Sequence, residues 1–205
     1  TAYPQMKAGD DDFHRFRVQG LDDSFLRLAK FPLQFRANGY DSDEAVLQAL
    51  RDDPTVAIVD AGRLHIEDGF GGGPPGEGRF ELPVSANDLR EGPWDPIPVT
   101  MRTDDGEITV QVIGVLEPQV TGVLLQLFAL FTGREVVDST LGGGETETFL
   151  ISAGDDDSKS GSVRLAHDIE STLLERGVQA KSIIEQIDVQ ASQSRAFQLL
   201  FESFM

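Results

Sequence analysis

The 205-residue chain contains no cysteine. Disulfides, thiolate nucleophiles and cysteine-ligated zinc or iron–sulfur centres are therefore excluded together. The compartment stays open, because many proteins outside the cytoplasm have no disulfide either. Positive charge is also scarce: 17 Lys and Arg stand against 35 Asp and Glu, a net charge of −18. A surface of that sign repels phosphates, which argues against nucleic acid as a partner and against a general basic patch for anionic lipid. The acidity reads as a solvated, aggregation-resistant surface, and a saline environment selects the same bias. No apolar run is long enough to cross a bilayer, and no signal-peptide pattern opens the chain at Thr1. What remains is a hydrophobic fraction of 40%, a globular composition with material for one good core or two small lobes.

Residues 1–12 are polar, end in a triple Asp, and predict a loose lead-in. Over 13–20, Phe13, His14, Phe16 and Val18 alternate in strand fashion, and Asp22-Asp23 then opens a short helix through Phe25, Leu26 and Leu28. The capping sequence Asp41-Ser42-Asp43-Glu44, followed by Ala45, Val46, Leu47 and Leu50, predicts a helix over about 42–51. Past Pro54, the continuous apolar run from Thr55 to Val59 predicts a strand buried on both faces. From Asp60 to Pro98 the pattern loosens, apart from a stretch over 63–67 that reads as a strand with Leu64 and Ile66 inward. Residues 97–116 predict a hairpin turning at Asp105-Gly106. Residues 120–131 are ambiguous between strand and helix; the reading adopted is a short strand near Val123 and a helical turn over 126–132, closed by Gly133.

After Gly142-Gly143-Gly144 the character changes. A strand over 146–152, an acidic turn at Asp155 to Asp157, a helix over 162–176 closed by Gly177, a strand over 178–187 and a helix over 188–205 follow in turn. The helix over 162–176 carries Val163, Ala166, Ile169 and Leu173 on one stripe. This β-α-β-α run suits an α+β or ferredoxin-like layer. The expected organisation is a β-rich mixed lobe over 1–140 and a second lobe over 146–205.

No catalytic, cofactor-binding or metal-binding residue is expected. His14, His65 and His167 lie in separate predicted elements without metal-ligand spacing. The glycine- and proline-rich stretch 69–78 predicts a flexible loop; a phosphate cradle would need a following helix and usually a lysine. Asp156, Ser158, Ser160 and Gly161 nearly make a calcium loop, but its twelfth position is His167 where a bidentate Glu is required. Ser152, Ser160 and Ser162 lack the surround of a nucleophile elbow.

The segment 188–205 is amphipathic, with Val189, Ala196, Leu200 and Phe204 on one stripe widened by Phe197 and Phe201. No helix-ending signal closes it, so it predicts either a helix continuing past Met205 or one docked on its own core. Several stretches give the chain a likeness to a family: Gly39 to Val46 running to Val56-Ala57-Ile58-Val59-Asp60, then Val112-Ile113-Gly114-Val115-Leu116, then Leu173 to Ala180, and finally Phe197 to Met205. Their order resembles the large extracytoplasmic domain of FtsX-like, MacB-related ABC transporter permeases, across most of residues 16–205. The resemblance implies a β-rich distal lobe, a membrane-proximal βαβ lobe, and a last helix leading into the second transmembrane segment. It further implies a separate cytoplasmic ATPase subunit, a second permease copy, an outside substrate or partner, and no catalysis. A β-α segment that such permeases usually carry earlier in the domain has no equivalent before Phe13, which would leave a sheet edge open to pairing. The alternative reading is a free-standing extracytoplasmic module for a small or lipidic ligand; a hydrolytic enzyme finds no supporting motif.

Overall fold

A computed structural model describes residues 1–28, 32–65, 80–117, 129–143 and 159–177. The chain divides into two compact units, Thr1–Phe149 and Leu150–Met205.

The first unit is mixed α/β and built on a curled sheet. Its strands are β1 (Gln5–Ala8), β2 (His14–Arg15), β3 (Val18–Leu21), β4 (Leu33–Arg36), β5 (Val56–Asp60), β6 (Leu64–His65), β7 (Leu82–Ser85), β8 (Ile97–Thr103), β9 (Gly106–Leu116) and β10 (Leu130–Gly133). The large sheet runs β2-β1-β8-β9-β5-β10-β3, with β4 added along β9. Pairing is antiparallel except for β5 with β9 and β10 with β3. The ends of this path meet. Ala2 and Val18 exchange two backbone hydrogen bonds of 2.8 Å, and the Phe16 amide donates to Pro4 at 3.0 Å. The stretch from β2 into β3 thus lies antiparallel along β1, and β3-β1-β8-β9-β5-β10 closes as a ring. The loose lead-in predicted over 1–12 is therefore corrected for Ala2 to Ala8, which are paired, while Gly9 to Asp12 are exposed and outside any strand. Met6 and Ala8 point into the core, and β1 is held by pairing on both edges.

Alternation along the strands separates two clusters. Met6, Ala8, Val18, Ala57, Val59, Val99, Met101, Val110, Val112, Val115 and Leu130 fill one, inside the ring. On the outer side, Val56, Ile58, Ile113, Leu116 and Phe131 meet α2 (Asp43–Asp52) through Val46, Leu47 and Leu50. The predicted doubly buried strand is thus observed as β5, each of its residues being buried. Where β9 passes from Val112 to Gly114 its register against β5 shifts, and Ile113 joins the outer cluster. A Cβ on Gly114 would stand 3.2–3.3 Å from Ile58, Leu33 and Val46, so its absence lets the helix sit close.

Local chemistry sets the helices. Ser42 caps α2 by accepting from the Ala45 amide at 3.1 Å. Asp22 does the same for α1 (Asp23–Leu28), accepting from the Phe25 amide at 2.7 Å. In the stretch that reads as unpatterned, β7 leads into α3 (Ala86–Glu91) through a reciprocal capping box between Ser85 and Asp88. The small sheet of β6 and β7 packs with α3 against the inner cluster through Leu64, Leu82 and Leu89. The hairpin turns at Asp104-Asp105, and Gly106 supplies the positive φ. The helical turn expected over 126–132 is overturned where the structure describes it. Leu130 to Gly133 form a strand between β5 and β3, because Leu130 and Phe131 each find a covered face.

The second unit is described through α4 (Lys159–Leu174), which begins three residues earlier than its predicted start. Val163, Ala166, Ile169 and Leu173 are half-buried among exposed neighbours, as the stripe predicts. Gly177, with φ 77°, ends it by donating to the Leu174 carbonyl at 2.9 Å. The expected strands over 146–152 and 178–187, the terminal helix, the loop 69–78 and the strand near Val123 lie outside the described residues.

Candidate functional site

Among the described residues of the first unit, two depressions stand out. The larger, about 570 Å³, opens between α1, the end of α2 and the segment after β10. Leu21, Leu26, Leu50 and Val136 give it apolar surface, and Asp22, Asp23, Arg51, Arg134, Glu135 and Asp138 give it charge. Its position follows from two glycines. A Cβ on Gly133 would come within 2.7 Å of the Leu50 carbonyl oxygen, and one on Gly20 within 2.9 Å of the Arg134 Cα. Only bare backbone permits β10 and β3 to approach their neighbours this closely. Arg134 is ion-paired to Asp138 at 2.8 Å. The Asp22 carboxyl is held below the ordinary carboxylate range by the Ser24 hydroxyl and the Phe25 amide, against the opposition of burial, with the Ser24 amide and then the Arg134 charge contributing less.

The segment bordering this cleft is a single π-helical turn, Val136–Thr140. Val136 and Val137 are buried in the inner cluster. Leu141 and Gly143 donate backwards to the carbonyls of Val136 and Val137, at 3.2 and 3.0 Å. Gly142 and Gly143 then follow with φ 75° and 83° and nothing within 4 Å of an added Cβ. Backward hydrogen bonds therefore hold this segment as far as Gly143, with open space beside the two glycines.

The smaller hollow, about 340 Å³, lies between β4 with its following loop and the loop after α3. Phe35, Tyr40 and Trp94 supply aromatic surface, and Gln34 and Asn38 supply amides. The Asn38 amide donates to the Trp94 carbonyl at 2.7 Å and the Asn38 side chain to Asp95 at 2.9 Å, so the two walls are tied together. Sequence reading had no means of finding this site. Its walls come from segments more than fifty residues apart, and Trp94 falls in the stretch without pattern.

The histidines are not brought together: His14 is on β2, His65 on β6 facing Glu81 at 3.6 Å, and His167 on α4 of the other unit, 3.5 Å from Glu170. Ser160 and Gly161 lie inside α4, which is incompatible with the turn of a calcium loop; Asp156 and Ser158 lie outside the described residues, as does Ser152. Ser162 is likewise within α4. Among the described residues no group of three or more His, Asp or Glu is placed to hold a metal ion, and no helix is long and apolar enough to cross a membrane.

Buried polar groups do occur beside the inner cluster. Asp60 accepts from the Gly62 amide at 2.9 Å. Arg63 donates to the Phe80 carbonyl at 3.4 Å and lies 5.4 Å above the Phe16 ring, which itself contacts Phe80. These contacts fix the turn between β5 and β6, where the sequence had suggested only a strand start. Comparison with protein-family models, with curated proteins and with solved structures returned no match.

Proposed function

We propose that the chain is the extracytoplasmic domain of an FtsX-like, MacB-related ABC transporter permease, with a non-catalytic role. The observation that carries this reading is the division into two units between Phe149 and Leu150, with the β-rich unit first and an unencumbered glycine pair on the approach to the division. In this reading residues 1–149 are the distal lobe and 150–205 the membrane-proximal βαβ lobe. The segment 188–205 leads to a transmembrane helix, and a second permease copy and a cytoplasmic ATPase complete the transporter. Nucleotide-driven motion of the membrane helices passes through that segment into the proximal lobe. The glycines at 142 and 143 let the distal lobe change orientation and present itself to an outside substrate or partner.

The gene downstream of Met205 tests the reading first: about twenty apolar residues should follow directly, and a stop codon or a polar sequence there overturns it. In the assembled transporter, proline at Ser192 or Ala196 should uncouple transport or partner activation from ATP hydrolysis while both units stay folded. Persistence of coupling would sink the lever mechanism. A second reading, a free-standing extracytoplasmic binding module, is favoured by the aromatic hollow at Trp94. It requires Phe197, Phe201 and Phe204 to be protected from solvent in the isolated chain, which hydrogen exchange across 195–205 distinguishes.

A further inference from the structure

We propose that the hollow between Tyr40 and Trp94 binds a neutral saccharide, a property that goes beyond the permease reading and does not depend on it. A sugar ring presents two kinds of surface. Its C–H faces pack on aromatic rings, and its hydroxyls both donate and accept hydrogen bonds. The hollow offers both complements in one place. Phe35, Tyr40 and Trp94 are each half-buried, so ring surface is held firmly yet remains accessible. Gln34 and Asn38 carry amides, the neutral side-chain groups that combine a donor and an acceptor on one plane.

The charge at the site points to a neutral ligand. Its charged lining residues are Arg36 and Asp41, one of each sign, and Arg36 is already ion-paired with Asp43. Neither an anion nor a cation is selected by such a lining. The larger cleft differs in this respect, since its rim holds Asp22, Asp23, Glu135 and Asp138 against Arg51 and Arg134.

The walls are fixed before any ligand arrives. The Ala37 amide donates to Ile113 at 3.0 Å, and Asn38 is bonded to both Trp94 and Asp95. Little ordering entropy is left to lose on binding. At Gly39 and Gly92 the space beside the backbone is open, with nothing within 4 Å of an added Cβ. Proline-rich peptides also use aromatic grooves. Here, however, amides sit among the rings, and about 340 Å³ is at the small end of ligand sites, suited to one or two sugar rings rather than an extended peptide.

Trp94 is the sole tryptophan, so intrinsic fluorescence of the whole chain reads the site directly. Maltose, cellobiose, chitobiose and the two methyl glucosides are the probes, alongside a proline-rich peptide. At least one sugar should give a saturable change in Trp94 emission, with amide shift changes confined to 34–41 and 92–95. Gln34 is polar and half-buried, so Gln34→Ala removes no core side chain, should leave the fold intact and should weaken that sugar about fivefold, as expected for one lost neutral hydrogen bond. The proposal is overturned by any of four results: no saturable response to any sugar, shift changes that map elsewhere, an undiminished response in Gln34→Ala, or binding of the peptide in place of the sugars. None of these results touches the permease reading, since neither membrane helices nor ATPase take part.

Discussion

Strands β5 and β1 belong to the same closed sheet, yet their sequences have little in common. β5 reads Val-Ala-Ile-Val-Asp and is buried at every position; β1 reads Gln-Met-Lys-Ala and alternates, with Met6 and Ala8 inside. The difference lies in what covers the outer face. β5 runs beneath α2 and needs apolar side chains on both sides, whereas the outer side of β1 carries Gln5 and Lys7, with the Lys7 ammonium 5.3 Å from the Phe13 ring. A strand with one solvated face needs only every second residue to be apolar. In a strand of four residues that leaves two, too few to stand out as a pattern.

Substitutions can break or sharpen this comparison. The largest effect is expected from Ile58→Ala, which empties a fully buried site between β5 and α2 and should destabilise by about 3–5 kcal/mol in urea unfolding. Met6→Ala should cost nearly as much, about 2–4 kcal/mol. A loss below about 0.5 kcal/mol, the value for a surface site, would return residues 1–12 to the status of a loose lead-in. Ala2→Pro removes the amide that donates to Val18 and should cost about 1–3 kcal/mol. Faster hydrogen exchange at Val18 would identify the broken closure, and unchanged exchange would mean that the sheet is open there.

A smaller loss, about 1 kcal/mol, is expected for Ser85→Ala, which removes the cap of α3. The Ser85 amide and hydroxyl hold the Asp88 carboxyl below its ordinary range, and Asp22 is lowered by the Ser24 hydroxyl and the Phe25 amide. Both are depressed carboxylates, so their stabilisation is complete above the unfolded-state value near 3.9 and is lost as pH falls through their lowered folded-state values. Ser85→Ala should raise the Asp88 titration toward the ordinary value and flatten that part of the acid limb; an unchanged NMR titration of Asp88 would count against the capping box. Lys7→Ala should move stability least, by less than about 0.5 kcal/mol, in keeping with an outer face that solvent already covers.

The same logic explains what else could be read along the chain. The helix α2 was legible because its cap, its acidic first turn and its apolar stripe all lie within a dozen residues. The hairpin of β8 and β9 was legible because a turn and two alternating strands are also local. The strand β10 was misread as a helical turn. Leu130 and Phe131 are adjacent apolar residues, and only β3 and β5 on either side decide that they point to opposite clusters. The box of Ser85 and Asp88 was present in the letters but lay in a stretch dominated by breakers. Of the saccharide site, Tyr40 and Trp94 were visible as residues, but their proximity depends on β4 lying along β9 and on the loop after α3 being bonded back to Asn38.

The sequence by itself determined the acidity, the absence of thiol chemistry, the caps of the first two helices, the buried strand β5, the long hairpin and the Gly177 stop of α4. Each rests on interactions between residues close in the chain, or on composition alone. Tertiary structure decided that the polar start is a core strand, that Ala2 and Val18 close the sheet, and that Gly20 and Gly133 must be bare. It also decided that two distant loops make one hollow. Those outcomes depend on which surfaces meet across long separations, and a surface's neighbour is fixed only when the ring of strands has closed.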